Sequence, residues 1–151
     1  MKSLSKKSIS IIGGAGHIGL PLALAFAKKK YNVQLIDKDK KNLNFIKNNT
    51  MPFLEFGAPK LLSYALKRKL LSFETNLEKL YLSKYVIICI GTPINSKLKP
   101  NLKDFFNLIK KLKKYINHNQ IIIVRSSIYP GTIEKIKMVL KNKNNNIVYC
   151  P

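Results

Sequence analysis

The sequence predicts an α/β fold: a doubly wound parallel sheet of about six strands in a three-layer α/β/α arrangement. Three observations predict it. Apolar runs suited to buried strands alternate with segments of helical period, short loops join them, and the first such loop is the glycine-rich "GGAGHIG" of residues 13–19. Strands and helices alternating across short loops imply parallel βαβ units, with helices on both faces of one sheet.

Each element follows in turn. Residues 8–13 (SISIIG) read as the first strand, and 17–30 as a helix with apolar Ile18, Leu20, Leu22, Leu24 and Phe26. "NVQLID" (32–37) reads as the second strand, followed by a helix from about Lys40 to Asn48. "PKLLSYALKRK" (59–69) reads as a helix after a loop with Pro and Gly, and "LSFET" (71–75) as a short strand. One or two helical turns are expected over 76–83. "YVIICI" (85–90) is apolar on both faces and so suits a central strand. A helix is expected over about 101–116 with Asn101 as its cap, then a buried strand "QIIIVRSS" (120–127). A helix from Thr132 to Lys141 and a closing strand "NIVYC" (146–150) complete the order.

In such a sheet ligands lie beyond the carboxyl ends of the strands, which directs attention to the residues just after 13, 37, 90 and 127. After the first strand, Gly14-Ala15-Gly16-His17-Ile18-Gly19 matches a dinucleotide-binding GxGxxG. Gly14 is expected to allow the tight turn, Gly16 to let a pyrophosphate approach the backbone, and Gly19 to let helix and strand pack closely. The motif sits between a strand and an amphipathic helix, and Asp37 ends the next strand about twenty residues on, so the context is Rossmann-like. Asp37 is expected to accept hydrogen bonds from the adenosine ribose and to repel a 2′-phosphate, which favours NAD over NADP. Lys38, Lys40 and Lys41 work against that preference. His17 lies near the expected pyrophosphate, in a cofactor-contacting or loop-positioning place rather than that of a general base. In "CIGTPIN" (89–95), Gly91 and Pro93 break the strand and leave the Thr92 hydroxyl near the cofactor. "RSSIYPGTIE" (125–134) puts Ser126 and Ser127 at the same sheet edge.

With 151 residues and 46% hydrophobic content, the chain suits one domain with a proper core. No apolar run approaches the roughly 18–20 residues that span a bilayer. The basic start "MKSLSKKS" leads into a strand and glycines rather than a signal peptide, so a cytoplasmic protein without a membrane partner is expected. Cys89 and Cys150 are too few for a disulfide framework and lack metal-ligand spacing; Cys89 reads as a buried small apolar residue. The net charge of +21 raises the question of nucleic acid. Yet lysines fall on nearly every polar segment ("KKK" at 28–30, "KDKK" at 38–41, "KLKK" at 111–114, "KNKNNN" at 141–146), and Arg68 and Arg125 are the sole arginines. Dispersed lysine reads as a solvated basic surface, with no specific nucleic-acid partner expected.

Five motifs carry a resemblance over almost the whole chain: "GGAGHIGLPLALAFA", "MPFLEFGAP", "IGTPI", "RSSIYPGT" and the terminal "YCP". In this order they resemble the UDP-glucose/GDP-mannose (nucleotide-sugar) dehydrogenase family, and the wording of the first two is most like its UDP-N-acetyl-D-mannosamine branch. The resemblance implies an NAD-binding domain over 1–151 of an enzyme that oxidises the sugar C6 alcohol to a carboxylate, for surface polysaccharide synthesis. Two NAD-dependent steps through an enzyme-bound thioester are implied. It further implies that Gly14, Gly16, His17, Ile18 and Gly19 hold the pyrophosphate, with Asp37 on the ribose and Thr92 on the dinucleotide. Ser127 stands where the family usually has threonine, near the nicotinamide and the reacting water, and is the one catalytic-side candidate. Glu55 matches an acidic family position without an assigned role, and Asn42 stands where a cation is often found, with Lys41 beside it.

In the family, "CP" is followed by a glutamate and arginine, a connecting helix and a sugar-binding domain that carries the catalytic cysteine, lysine and asparagine. Cys150, in the "CP" of the sixth strand, is not that cysteine. The chain alone is therefore expected to bind NAD but not to complete the oxidation, and to meet a UDP-sugar only with the missing C-terminal part, whether as a homo-oligomer or with a complementary chain. Other readings stand beside this one: a different short oxidoreductase completed by a partner chain, or a stand-alone NAD-binding regulatory module. The regulatory module has no need of "GTP" and "SSIYPGT" after the later strands.

Overall fold

The structure, a computed structural model, describes residues 8–92, 102–140 and 146–151. Pro93, the proposed cap Asn101 and the lysines of 141–145 lie outside the described residues, as does the basic start. Six strands form one parallel sheet: β1 (Ser8–Ile12), β2 (Asn32–Ile36), β3 (Leu71–Glu74), β4 (Tyr85–Ile88), β5 (Ile121–Val124) and β6 (Asn146–Tyr149). Their order across the sheet is β3-β2-β1-β4-β5-β6, so the chain works outward from β1 in one direction and then in the other. Ile9 pairs with Val33 on one side and with Tyr85 on the other, which makes β1 the central strand. Among the described residues the helices are α1 (Gly19–Lys28), α2 (Lys40–Lys47), α3 (Ala58–Lys67), α4 (Lys103–Leu112) and α5 (Thr132–Leu140). The expected turns before β4 are a 3₁₀ helix, Glu78–Leu82.

Strand alternation divides the core in two. Ile9, Ile11, Val33, Leu35 and Ile87 face one way and pack with Leu20, Leu24, Leu43, Ile46 and Leu62 of α1–α3. Ile12, Ile36, Val86, Ile88, Ile122 and Val124 face the other way and pack with Phe105, Ile109 and Leu112 of α4 and Ile136 and Leu140 of α5. Strands buried on both faces explain the continuous apolar runs of the sequence. Each fully buried leucine or isoleucine contributes about 1.5–3 kcal/mol of transfer free energy.

Local chemistry sets the helix ends. Asp39 caps α2 by accepting from the Asn42 N–H at 3.0 Å, and Gly57, at φ +75°, precedes α3 with Pro59 in its first turn. Pro21 sits in the first turn of α1, where no N–H is needed. Helix α1 starts at Gly19 rather than 17 because the glycine loop first makes its own turn, Gly16 N–H to Gly13 C=O at 3.2 Å. Helix α4 ends near Leu112, short of the expected 116. The apolar period runs on because Ile116 is buried, but the Gln120 side chain takes the Asn117 N–H at 2.8 Å in a turn that leads into β5.

A buried polar triad fixes the other end of the sheet centre. Ser10 Oγ lies 2.8 Å from Gln34 Oε1, to which it donates, and 2.6 Å from Ser83 Oγ. At the chain's last strand, Val148 and Tyr149 are about half exposed, as expected for a strand at the sheet edge. No helix among the described residues is long and apolar enough to cross a membrane.

Candidate functional site

The carboxyl ends of β1, β4 and β5 meet in one cleft. It has a volume of about 320 Å³ and is lined on one side by Gly16, His17 and Ile18 and on the other by Thr92, Ser126 and Ser127, with Cys89 and Arg125 also in its wall. β1 and β4 are neighbours whose connections leave in opposite directions, so the cleft lies where such sheets bind their ligands.

The glycine loop is tied down from behind. The N–H groups of Gly13 and Gly14 donate to the Ile36 carbonyl at 2.9 and 3.2 Å, and the Ala15 N–H donates to Asp37 Oδ2 at 3.0 Å. The conformational demand of the turn falls on Gly13, not on Gly14 as the motif suggests. Gly13 has φ +81°, and a Cβ there would lie 2.6 Å from the Cys89 carbonyl oxygen. Gly14 needs its bareness for packing, since a Cβ would meet the Ile11 carbonyl oxygen and Leu35 at 2.8 Å. A Cβ on Gly19 would collide with the Gly13 carbonyl oxygen, so the close approach expected there is present.

The front of the loop is open. The backbone N–H groups of His17, Ile18 and Gly19 make no hydrogen bond to any described residue, and no side chain caps α1. Three successive free donors at a helix start, with the helix dipole behind them, suit an anion. Gly16 leaves room for one: a Cβ there would have just the Gly13 oxygen near it, at 3.4 Å. A dinucleotide's pyrophosphate fits this cradle on the structure's own terms.

Asp37 uses both oxygens locally, Oδ2 for Ala15 and Oδ1 for the Asp39 N–H at 3.0 Å. Each carboxylate oxygen can accept two bonds, so the group keeps capacity for ribose hydroxyls. Its carboxylate and that of Asp39, both near the loop's edge, oppose a further phosphate there, while Lys38, Lys40 and Lys41 are exposed around them.

The opposite wall is stapled across strands. Thr92 Oγ1 donates to the Ser127 carbonyl at 2.7 Å, and the buried Ser126 donates from Oγ to the Ile90 carbonyl at 2.7 Å. Ser127 itself is exposed and lines the cleft, and its hydroxyl makes no hydrogen bond to any described residue. Burial pushes the Cys89 thiol up to about 11, with Arg125 nearby acting in the opposite direction, so Cys89 is a neutral thiol near neutrality. Arg125 Nη1 donates to the carbonyls of Cys150 at 3.1 Å and Pro151 at 2.6 Å, and its buried Nε has no partner among the described residues.

The profile of the UDP-glucose/GDP-mannose dehydrogenase family, NAD binding domain, matches residues 7–151. The chain belongs to this family. It is 32% identical to a UDP-N-acetyl-D-mannosamine dehydrogenase of Methanococcus vannielii over 149 residues, 96% of this chain and 34% of the relative. It is 30% identical to a UDP-N-acetyl-D-glucosamine 6-dehydrogenase of Salmonella typhi over 135 residues, 89% of this chain and 30% of the relative. Among solved structures, the UDP-D-ManNAc dehydrogenase of Pyrococcus horikoshii superposes with a TM-score of 0.84 at 26% identity, over 94% of this chain and 35% of that one. The chain thus spans about a third of the length of these relatives.

Within the dehydrogenase family's NAD-binding domain, the cleft has a clear division of labour. The chain's residues offer an anion cradle on the β1 side and hydroxyls on the β4–β5 side, in one continuous space. Gly14, Gly16, His17, Ile18, Gly19, Asp37, Thr92 and Ser127 all stand at this sheet edge. Glu55 does not line the cleft; it is exposed in the loop before α3.

The roles of four residues of the site escape sequence reasoning. Gly13 was hidden at the end of a strand pattern. Ser126 looks from sequence like a second cleft hydroxyl but is a buried staple. Arg125 becomes a wall residue through the pairing of β5 with β6. Phe53 stacks on His17, with ring centroids 4.0 Å apart and planes 29° from parallel. Its only sequence signal was its place in "MPFLEFGAP", which says nothing of its partner.

Proposed function

We propose that residues 1–151 form the NAD-binding domain of a nucleotide-sugar 6-dehydrogenase, which oxidises the C6 alcohol of a UDP-sugar to the uronate. UDP-N-acetyl-D-mannosamine is the substrate favoured by the relatives' names, and surface polysaccharide synthesis is the purpose implied by the family resemblance. The observation that carries the reading is the pairing, in one cleft, of unbonded N–H groups at His17, Ile18 and Gly19 with the Thr92–Ser127 wall. A binding module needs the cradle alone; hydride transfer needs the second wall to place the nicotinamide.

In this reading Gly14, Gly16, His17, Ile18 and Gly19 hold the pyrophosphate, the first of them by letting the loop pack tightly, and Asp37 takes the adenosine ribose. Thr92 contacts the dinucleotide and orders the Ser127 backbone, which turns the Ser127 hydroxyl toward the nicotinamide and the reacting water. Cys89 stays a thiol, and a thiol is a poor nucleophile. The nucleophile of the oxidation and the groups that grip the sugar therefore come from outside these residues, from a C-terminal sugar domain or a complementary chain in a cytoplasmic assembly.

Titration of the purified chain with NAD and with NADP tests the reading. Saturable binding of NAD, weaker binding of NADP and no NADH formed on adding UDP-N-acetyl-D-mannosamine are expected. Absence of saturable NAD binding overturns it, and turnover by this chain alone overturns the assignment of the nucleophile.

A further inference from the structure

We propose that Phe53 is a positioning residue for His17, setting the imidazole at the cleft wall so that the cradle receives the dinucleotide. The inference rests on the reading above in which His17 contacts the cofactor. His17 is exposed, lies in the glycine loop, and its side chain makes no hydrogen bond to any described residue. Left alone, such a side chain samples several rotamers, and ordering it on binding costs free energy. The ring stack at 4.0 Å and 29° is the contact that restrains it.

Phe53 is suited to give that restraint because it is itself held. It is half buried and packs against the core cluster formed by β1, β2 and α1–α3. Its loop, residues 48–57, is tied at both ends: the Thr50 N–H donates to the Phe45 carbonyl at 2.9 Å, and the Ala58 N–H donates to the Glu55 carbonyl at 3.2 Å. His17 lines the cleft and Phe53 does not, so Phe53 acts on the ligand through the imidazole rather than by touching it. The stack also joins the loop after α2 to the loop after β1, at a place where α3 packs on α1.

The test is a double-mutant cycle read as NAD affinity of the purified chain, with thermal melting measured alongside. Phe53→Leu keeps an apolar group against the core and removes the ring; Phe53→Met is a second ringless replacement should the first fail to fold. The expected result is that Phe53→Leu weakens NAD binding by roughly three- to tenfold, the range of an aromatic pair, with little change in melting. Phe53→Tyr restores binding, and Phe53→Leu adds no further loss when His17→Ala is already present. If His17→Ala binds NAD as well as the parent, the cofactor-contact reading of His17 falls and this inference with it. If His17→Ala weakens binding while Phe53→Leu and Phe53→Met do not, or add their loss in full, the positioning role alone is overturned.

Discussion

The Asp37 carboxylate accepts the Ala15 N–H at 3.0 Å, so the acid at the end of β2 is bonded to the middle of the glycine loop before any ligand arrives. A residue expected to serve the ribose also holds the loop that serves the pyrophosphate. Replacing it with alanine removes both services. Asp37→Ala is expected to lose NAD affinity by at least about tenfold and to cost about 1.5–3 kcal/mol of stability, the range for a hydrogen bond to a charged group. Calorimetric titration and chemical denaturation measure the two losses separately. Asp37→Asn, which retains one acceptor oxygen, should recover part of the stability and less of the affinity.

The glycines divide into structural and ligand-facing ones, and alanine distinguishes them. Gly19→Ala drives a methyl into the Gly13 carbonyl, so the chain should melt several degrees lower or fail to fold. Gly16→Ala adds a methyl with ordinary clearance from the protein. It should melt close to the parent while NAD affinity falls, because the methyl occupies the approach of the pyrophosphate. Equal affinity in Gly16→Ala and the parent would place the phosphates elsewhere.

Thr92 and Ser126 should separate in the same way. Ser126→Ala removes a buried hydroxyl and leaves the Ile90 carbonyl short of a donor, a loss of about 1–3 kcal/mol in denaturation. Thr92→Val removes a bond at a half-exposed position, with a smaller effect on stability. Its expected mark is a weaker hold on NAD, through a Ser127 backbone no longer tied to β4's exit.

Cys89 gives a pH prediction. Its thiol ionises near 11 in the folded chain against an ordinary value of 9.0, because burial disfavours the thiolate. Between those values the folded state holds a proton that the unfolded state has lost, so this group makes stability fall as pH rises from about 9 to about 11. Cys89→Ala should remove that part of the decline when denaturation curves of the two proteins are compared across the window. Alkylation of Cys89 should likewise keep rising through pH 10 rather than levelling off near 9.

Much of this architecture is legible in the residues. "YVIICI" is apolar on both faces because β4 lies between β1 and β5 with helices on either side. Asp37 follows its motif at the spacing of one βαβ unit, and the strand ends that mark the cleft can be counted off. What sequence does not carry is pairing across distance. The lack of room for a side chain at Gly13 comes from the Cys89 carbonyl, seventy-odd residues away in sequence. The Ser126 hydroxyl turns inward because Ile90 offers a carbonyl, and Phe53 finds His17 because α3 packs on α1. A template that aligns glycines by spacing cannot see any of these, since each depends on which strand or helix becomes the neighbour.

The strand order also dictates a sequence of events in time. β1 lies at the sheet centre, yet one of its partners is β4, more than seventy residues later in the chain. A nascent chain emerging from the ribosome presents the glycine loop, β2 and Asp37 early. The wall of Thr92 and Ser127 can stand only after β4 and β5 have been made and paired. Pairings this far apart close slowly, because the intervening chain must give up its freedom first. A chain released with β1 to β3 alone would expose an apolar strand edge and have half a cleft. If NAD contacts both walls as proposed, it would stabilise the chain once β1–β4 and β4–β5 have paired.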